Sequence, residues 1–109
     1  MQISFPDLSA QYRRELFSLV LPFWERFGAD HEYGGFLCHL DYDGTLLDTD
    51  KPLWYQGRGL WVYSYLYNHF GRNPAHLEIA RLARDFLLEK MAAPDARWPA
   101  AVSRSGDVI

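Results

Sequence analysis

The sequence has little of several features that would point to particular classes of protein. It contains one cysteine, Cys38, in 109 residues, so no intramolecular disulfide can form, and we expect a reducing, cytoplasmic setting. No apolar run is long enough to span a bilayer, and the first residues do not resemble a signal peptide. Lysine and arginine total 11 against 14 acidic residues, without a basic cluster. We therefore expect no membrane and no nucleic acid as partner.

Large aromatic residues, in contrast, are abundant. The chain has seven Phe, seven Tyr and four Trp. A domain of this size buries only roughly two-thirds of its unfolded surface. We therefore expect some of these rings to face a ligand pocket, a partner or further chain.

Three helices are predicted from the spacing of apolar residues. The first covers residues 4–27, beginning with the Ser-x-x-acid pattern at Ser4 and ending at Gly28. Pro22 lies inside it and is expected to kink or loosen it, because proline lacks a backbone donor. The other helices are predicted over residues 52–70 and 74–91.

Two β-hairpins are predicted between and after these helices. Alternating apolar residues over 36–42 and 45–47 flank Asp43-Gly44, which suits a two-residue turn. The segment after Pro94 indicates a strand, a Ser-Gly-Asp turn and the first residues of a returning strand. The order is typical of a ring of helix pairs. We expect residues 1–109 to be one incomplete domain, the opening part of a longer protein, with apolar inner faces that promote self-association.

The stretch 50–68 combines aromatic rings with one guanidinium. Arg58 lies between Gly57 and Gly59, where the second helical pattern begins. Aromatic faces stack on the C–H faces of sugars, and arginine presents a fixed fork of donors to hydroxyl or carbonyl oxygens. The same residues at helical spacing also suit packing between helices, with the arginine as a cation–π partner. Both interpretations stay open on these residues alone.

Within this stretch, we assign expected roles by proximity to Arg58. Trp54 and Gln56 are candidates to line a pocket with Arg58. Tyr55 and Trp61 are expected to pack against the rest of the domain.

Other chemistry-bearing residues do not form a recognisable site. Gly57-Arg58-Gly59 lacks the Lys-Ser/Thr continuation of a phosphate loop. Four aspartates are spaced wrongly for an EF-hand and are expected to flank turns, so no metal is predicted: Asp41, Asp43, Asp48 and Asp50. Four histidines are expected to be structural or surface residues: His31, His39, His69 and His76.

Four motifs, in order along the chain, carry a resemblance to a known family. They are LPFW at 21–24, GGF followed by an aspartate and a DG turn at 34–44, D-K-x-x-W-x-Q-G-R at 50–58, and WPAAVSRSGD at 98–107. Together they resemble the amino-terminal part of the N-acylglucosamine 2-epimerase family. That family includes cellobiose 2-epimerases, mannose isomerases and sulfoquinovose isomerases.

The resemblance implies a mainly α fold, the opening portion of an (α/α)6 barrel. It also implies an enzyme that moves a proton at C2 of free, reducing-end sugars through an enediol(ate), without a cofactor. Arg58 matches the family arginine that binds the sugar and polarises its oxygen. The family's acid–base histidines match no histidine here and are expected downstream. We therefore expect no catalytic residue in this chain and no activity from it alone.

Two alternatives to a 2-epimerase or aldose–ketose isomerase stay open. One is another six-hairpin carbohydrate enzyme, such as an unsaturated glucuronyl hydrolase, which would need a catalytic carboxylate. The other is a non-catalytic remnant or a piece that docks to a partner. The residues present do not distinguish between sugars, or between epimerisation and isomerisation.

Overall fold

The computed structural model describes residues 2–109, and its long elements are helices. The helical elements are α1 (Phe5–Glu15), a π-helical segment (Leu16–Val20), α2 (Leu21–Phe23), a second π-helical segment (Trp24–Gly28), α3 (Leu53–His69), α4 (Pro74–Phe86) and a third π-helical segment (Leu87–Met91). The strands are β1 (His39–Leu40), β2 (Leu46–Asp48), β3 (Lys51–Pro52) and β4 (Ala101–Val102). The three helices predicted from sequence are therefore confirmed, and the fold is mainly α.

Residues 5–28 form a continuous helical rod. The Ser4 side chain caps its first turn by accepting a hydrogen bond from the Asp7 N–H at 3.2 Å. Pro22 has π-helical turns on both sides of it, at Leu16–Val20 and Trp24–Gly28. The expected loosening around Pro22 therefore takes the form of widened turns.

Only the second half of the rod joins the core. α1 contributes no buried residue, whereas Leu21 is buried. The molecule is accordingly elongated, with extents of 54 × 29 × 23 Å and a radius of gyration of 15.8 Å. A compact domain of this length would have a radius of gyration of roughly 13 Å.

α3 and α4 form the centre of the fold. Their shared core contains Tyr63 and Leu66 from α3 and Ile79, Ala80 and Ala83 from α4. Asn73 caps α4 by accepting a hydrogen bond from the Ala75 N–H at 2.9 Å, as its sequence position predicts. A smaller apolar cluster lies at the end of α4: Phe86, Leu87, Met91 and Val102.

The first predicted hairpin is present, with a different turn. β1 and β2 pair antiparallel. The Gly44 N–H donates to the Asp41 carbonyl at 3.0 Å, and the Asp41 N–H donates to the Thr45 carbonyl at 2.8 Å. The loop thus has three residues rather than two, and Gly44 occupies the left-handed position with φ of 92°. The two-residue prediction was wrong because Tyr42 belongs to the loop.

The second predicted hairpin differs more from what the sequence predicts. β4 pairs antiparallel with β3, the two residues before α3, so that Lys51 lies opposite Val102. The returning segment contributes one isolated bridge, from Val108 to Val102. No local pattern indicates the long-range β3–β4 pair, because both strands are only two residues long.

Residues 2–109 contain no helix that is both long enough and apolar enough to cross a bilayer. Several large apolar side chains on the rod and on α3 are exposed. Self-association through such faces stays a prediction.

Candidate functional site

Four residues of α3 form an exposed row along one face of the helix. Trp54, Arg58, Trp61 and Tyr65 are spaced by four, three and four positions, which places them on the same side of an α-helix. Trp54 is 69% exposed, Trp61 62% and Tyr65 44%. We call these four residues the exposed row.

Arg58 is the only charged member of the exposed row. Its guanidinium forms no ion pair or hydrogen bond with residues 2–109. A cleft of about 410 Å³ is lined by Gly57, Arg58 and Trp61. A smaller, largely apolar cavity of about 240 Å³ reaches Arg58 from the side of the rod. The donors of Arg58 therefore remain available to a ligand.

The rings on either side of Arg58 have defined orientations. Trp54 meets Tyr55 edge-on, with ring centroids 5.6 Å apart. Trp61 stacks on Tyr65 at 5.2 Å and 23°. Tyr55 is half-buried against the core, as expected. The expectation that Trp61 packs into the domain was wrong, because its side chain is mostly exposed and its ring contact is with Tyr65 on the same helix.

Gln56 lies on the opposite face of α3 and is fully buried. Its Oε1 accepts a hydrogen bond from the Phe36 N–H at 2.6 Å, and its Nε2 donates to the Phe36 carbonyl at 2.9 Å. The side chain thus satisfies both backbone groups of a buried residue, as a neighbouring β-strand would. This contact gives Gln56 a positioning role, and its contact with substrate stays a prediction.

The two glycines beside Arg58 have different surroundings. A Cβ on Gly59 would lie 2.3 Å from the Phe36 ring, so Gly59 allows the close approach of Phe36 to α3. A Cβ on Gly57 would have no atom within 4 Å. Gly59 is therefore required by packing, whereas Gly57 leaves open space beside Arg58.

A buried ionic network anchors the start of α3. The Lys51 Nζ donates to Asp30 Oδ2, to the Gly34 carbonyl and to the Arg104 carbonyl, each at 2.8 Å. Arg104 also donates from Nε to Asp30 Oδ2 at 3.0 Å. The network joins the loop after the rod, the residue before Pro52, and the C-terminal hairpin. It holds the end of α3 that carries Trp54 and Arg58.

Burial and hydrogen bonding have opposite effects on the pKa values of this network. Burial alone would raise the pKa of Asp30, but hydrogen bonds from Arg104 and Lys51 outweigh it and hold the pKa at about 2. Burial lowers the pKa of Lys51, an effect that the hydrogen bond to Asp30 opposes. Sequence reasoning missed this network, because its members are 21 and 74 positions apart and no local pattern links them.

The four histidines take structural or surface positions. His76 is buried, and its Nε2 lies 3.1 Å from Glu25 Oε1, which ties α4 to the rod. His31 is exposed and its Nε2 lies 2.7 Å from the Glu25 carbonyl. His39 and His69 are exposed. The expectation that these histidines take no part in catalysis stays a prediction.

The aspartates near the first hairpin serve turns. Asp41, Asp43 and Asp48 each accept a hydrogen bond from a backbone N–H one or two residues ahead. Across residues 2–109, no three His, Cys, Asp or Glu side chains are grouped as a metal ion would require.

A larger cleft lies elsewhere, between the rod and the junction of α3 with α4. It has about 530 Å³ and is lined by residues that include Arg13, Arg14, Glu25 and His76. Arg13 packs its guanidinium against the Phe70 ring at 5.3 Å, and Glu25 and His76 are paired with each other. Since three of its four ionisable groups already have partners, this cleft is a weaker candidate than the one at Arg58.

Comparison with known proteins shows which family this chain resembles. The chain is 36% identical over 91 residues to N-acylglucosamine 2-epimerase of Mus musculus, covering 80% of this chain and 22% of that protein. It is 36% identical over 80 residues to cellobiose 2-epimerase of Ruminococcus albus, covering 72% of this chain and 20% of that protein. The chain belongs to the N-acylglucosamine 2-epimerase family. It spans about a fifth of the length of these relatives.

Solved structures resemble this member of the N-acylglucosamine 2-epimerase family in fold. Cellobiose 2-epimerase from Bacillus thermoamylovorans superposes with a TM-score of 0.84 at 28% identity, covering 96% of this chain and 27% of that chain. A D-mannose isomerase shares the fold, with a TM-score of 0.72 at 18% identity, covering 82% of this chain and 23% of that chain. No protein-family model matches the chain.

Proposed function

We propose that the whole protein carrying this chain is a carbohydrate 2-epimerase or aldose–ketose isomerase. It acts at C2 of a free, reducing-end sugar through an enediol(ate), and this chain forms the opening portion of its (α/α)6 barrel. The observation that carries the proposal is the unpaired guanidinium of Arg58 in a row of exposed aromatic rings. The relatives, named as sugar 2-epimerases, support the same reaction class.

Proton abstraction next to a carbonyl explains the need for Arg58. Removing the C2 proton places negative charge on the neighbouring oxygen, and a fixed cation there stabilises the transition state. Arginine suits this role because it stays charged at any working pH and offers donors in a rigid fork. A general acid and base with pKa values near neutrality must complete the site. None of the four histidines lies in the exposed row, so these groups come from other parts of the protein.

Trp54 and Gln56 have separate roles in this proposal. Trp54 presents an exposed indole one helical turn before Arg58, where a pyranose can stack. Gln56 fixes the helix against Phe36 and thereby sets the direction in which Arg58 points.

Exchange of the C2 proton with solvent tests the reaction. The protein is purified from its own cells and incubated in D₂O with mannose, N-acetylglucosamine or cellobiose, and loss of the C2 proton signal is followed by NMR. We expect exchange with at least one sugar, and we expect Arg58→Met to lose it. Arg81→Met is the matched control, because Arg81 is exposed and paired only with Glu78. Absence of exchange with all three sugars would overturn the proposal, and so would full activity of Arg58→Met. The 109-residue chain alone is expected to show no exchange.

A further inference from the structure

Trp61 has one ring face free beside the only charge of the exposed row. Its other face is stacked on Tyr65, four residues further along α3, at 5.2 Å and 23°. The cleft of about 410 Å³ is lined by Trp61 with Gly57 and Arg58, which precede it by four and three residues, and Tyr65 does not line it. The stack on Tyr65 therefore fixes the indole in an orientation that presents its free face to this cleft.

The floor of the cleft is unobstructed. A Cβ added at Gly57 would meet no atom within 4 Å, so packing at the Cβ position does not require glycine there. Glycine in a helix interior costs roughly 0.5–1 kcal/mol relative to alanine. The open position lines the same cleft as a guanidinium and an aromatic ring, and a ligand close to the helix would occupy that cleft.

We propose that Trp61 is a stacking platform for the sugar ligand and that Gly57 leaves the space in which the ring lies against Arg58. This inference rests on the proposed function, because it takes a sugar as the occupant. A pyranose presents one largely C–H face to an aromatic ring and hydroxyl oxygens at its edge. In this arrangement the C–H face covers Trp61, and the edge oxygens accept hydrogen bonds from Arg58.

The arrangement assigns Trp54 and Trp61 to opposite sides of Arg58. They are seven residues apart on α3, which corresponds to about 10 Å along the helix axis. A single pyranose cannot stack on both rings at once. Trp61 and Gly57 should therefore affect sugar binding independently of Trp54.

Sugar titrations of single-residue variants test this assignment. The dissociation constants of N-acetylglucosamine and mannose are measured by NMR shift perturbation for the whole protein and for its variants Trp61→Ala, Trp61→Phe and Gly57→Leu, with Arg58→Met alongside. We expect Trp61→Ala and Gly57→Leu to weaken binding by about fivefold or more, and Trp61→Phe to recover most of the affinity. Trp98→Ala is the matched control, because Trp98 is an exposed indole outside α3.

Two further results separate this inference from the proposed function. Unchanged affinity in both Trp61→Ala and Gly57→Leu, with a loss in Arg58→Met, would overturn the role of Trp61 and leave the proposed function intact. Affinity unchanged in Arg58→Met as well would contradict the proposed site itself. Equal losses in Trp61→Ala and Trp98→Ala would also overturn the inference, since a specific platform cannot be matched by a distant indole.

Discussion

The two faces of α3 differ in the contacts that their side chains make with the rest of the protein. On the buried face, Gln56 and Tyr63 contact Phe36 and the core, and Gly59 admits the Phe36 ring. On the exposed face, Arg58 and Trp61 have no partner in the core. The buried face shows which residues the fold needs, and the exposed row shows which residues the fold leaves free. Large aromatic side chains are costly to expose to water. Those that the fold leaves exposed are therefore candidates for ligand binding.

On the buried side, we expect the largest loss of stability from substitution of Lys51, which anchors the start of α3. Lys51→Met removes the cation that contacts Asp30 and leaves a buried carboxylate with Arg104 as its remaining partner. We expect the free energy of unfolding to fall by about 3–5 kcal/mol. Urea denaturation measures it, with Lys90→Met as the control, since Lys90 is exposed. A loss below 1 kcal/mol would show that the network does not hold α3.

The same anchor predicts a dependence on pH. The pKa of Asp30 is about 2 in the folded protein, below its ordinary value of 3.8. Its stabilising contribution is therefore present above pH 4 and is lost as pH falls from 4 toward 2. We expect a loss of about 2 kcal/mol over that range. Urea denaturation at pH 5, 3 and 2 measures this loss. Asp30→Asn should make the free energy of unfolding less dependent on pH over this range. An unchanged pH dependence in Asp30→Asn would contradict the assignment to Asp30.

The two glycines give a matched pair of substitutions two residues apart. Gly59→Ala places a methyl group against the Phe36 ring and should destabilise the chain by about 1–3 kcal/mol. Gly57→Ala meets open space and should stabilise the helix by roughly 0.5–1 kcal/mol. Thermal and urea unfolding of both variants test the comparison. Changes of the same sign in both would mean that the two faces are not distinguished by packing.

The exposed row should show the smallest effects on stability. Trp54→Ala and Arg58→Met remove side chains that the core does not contact, so the free energy of unfolding should change by less than about 0.5 kcal/mol. Both variants should still weaken sugar binding, which titration of the folded variants measures. A large loss of stability in Arg58→Met would instead place Arg58 among the residues required by the fold.

Local signals in the sequence predicted the helices well, but they did not predict the long-range contacts. Ser4, Asn73 and the apolar spacing fix helix starts and lengths through interactions within a few residues, so they can be read directly. The pairing of β3 with β4 and the contact of Asp30 with Arg104 join distant segments and leave no local pattern. Gln56 illustrates the same limit within the site. Its place beside Arg58 in sequence predicts a shared pocket, but helical geometry turns it to the opposite face.

The prediction that Trp61 packs against the rest of the domain was wrong for a related reason. An aromatic residue at helical spacing is usually part of the core, and spacing alone does not say which face of a helix is covered. Once α4 and the rod are positioned, Trp61 lies on the uncovered side with Arg58. Knowledge of the neighbouring helices, rather than of α3 itself, decides its role.

The central claim is that the exposed row of α3 contacts the sugar. Backbone and side-chain NMR signals of the whole protein, followed during a titration with N-acetylglucosamine, test it most directly. The account predicts that signals of Arg58 and Trp61 shift together with one dissociation constant, while those of Tyr63, on the buried face of α3, stay in place. Shifts confined to the cleft near Arg13 and His76, or no shifts at all, would contradict it.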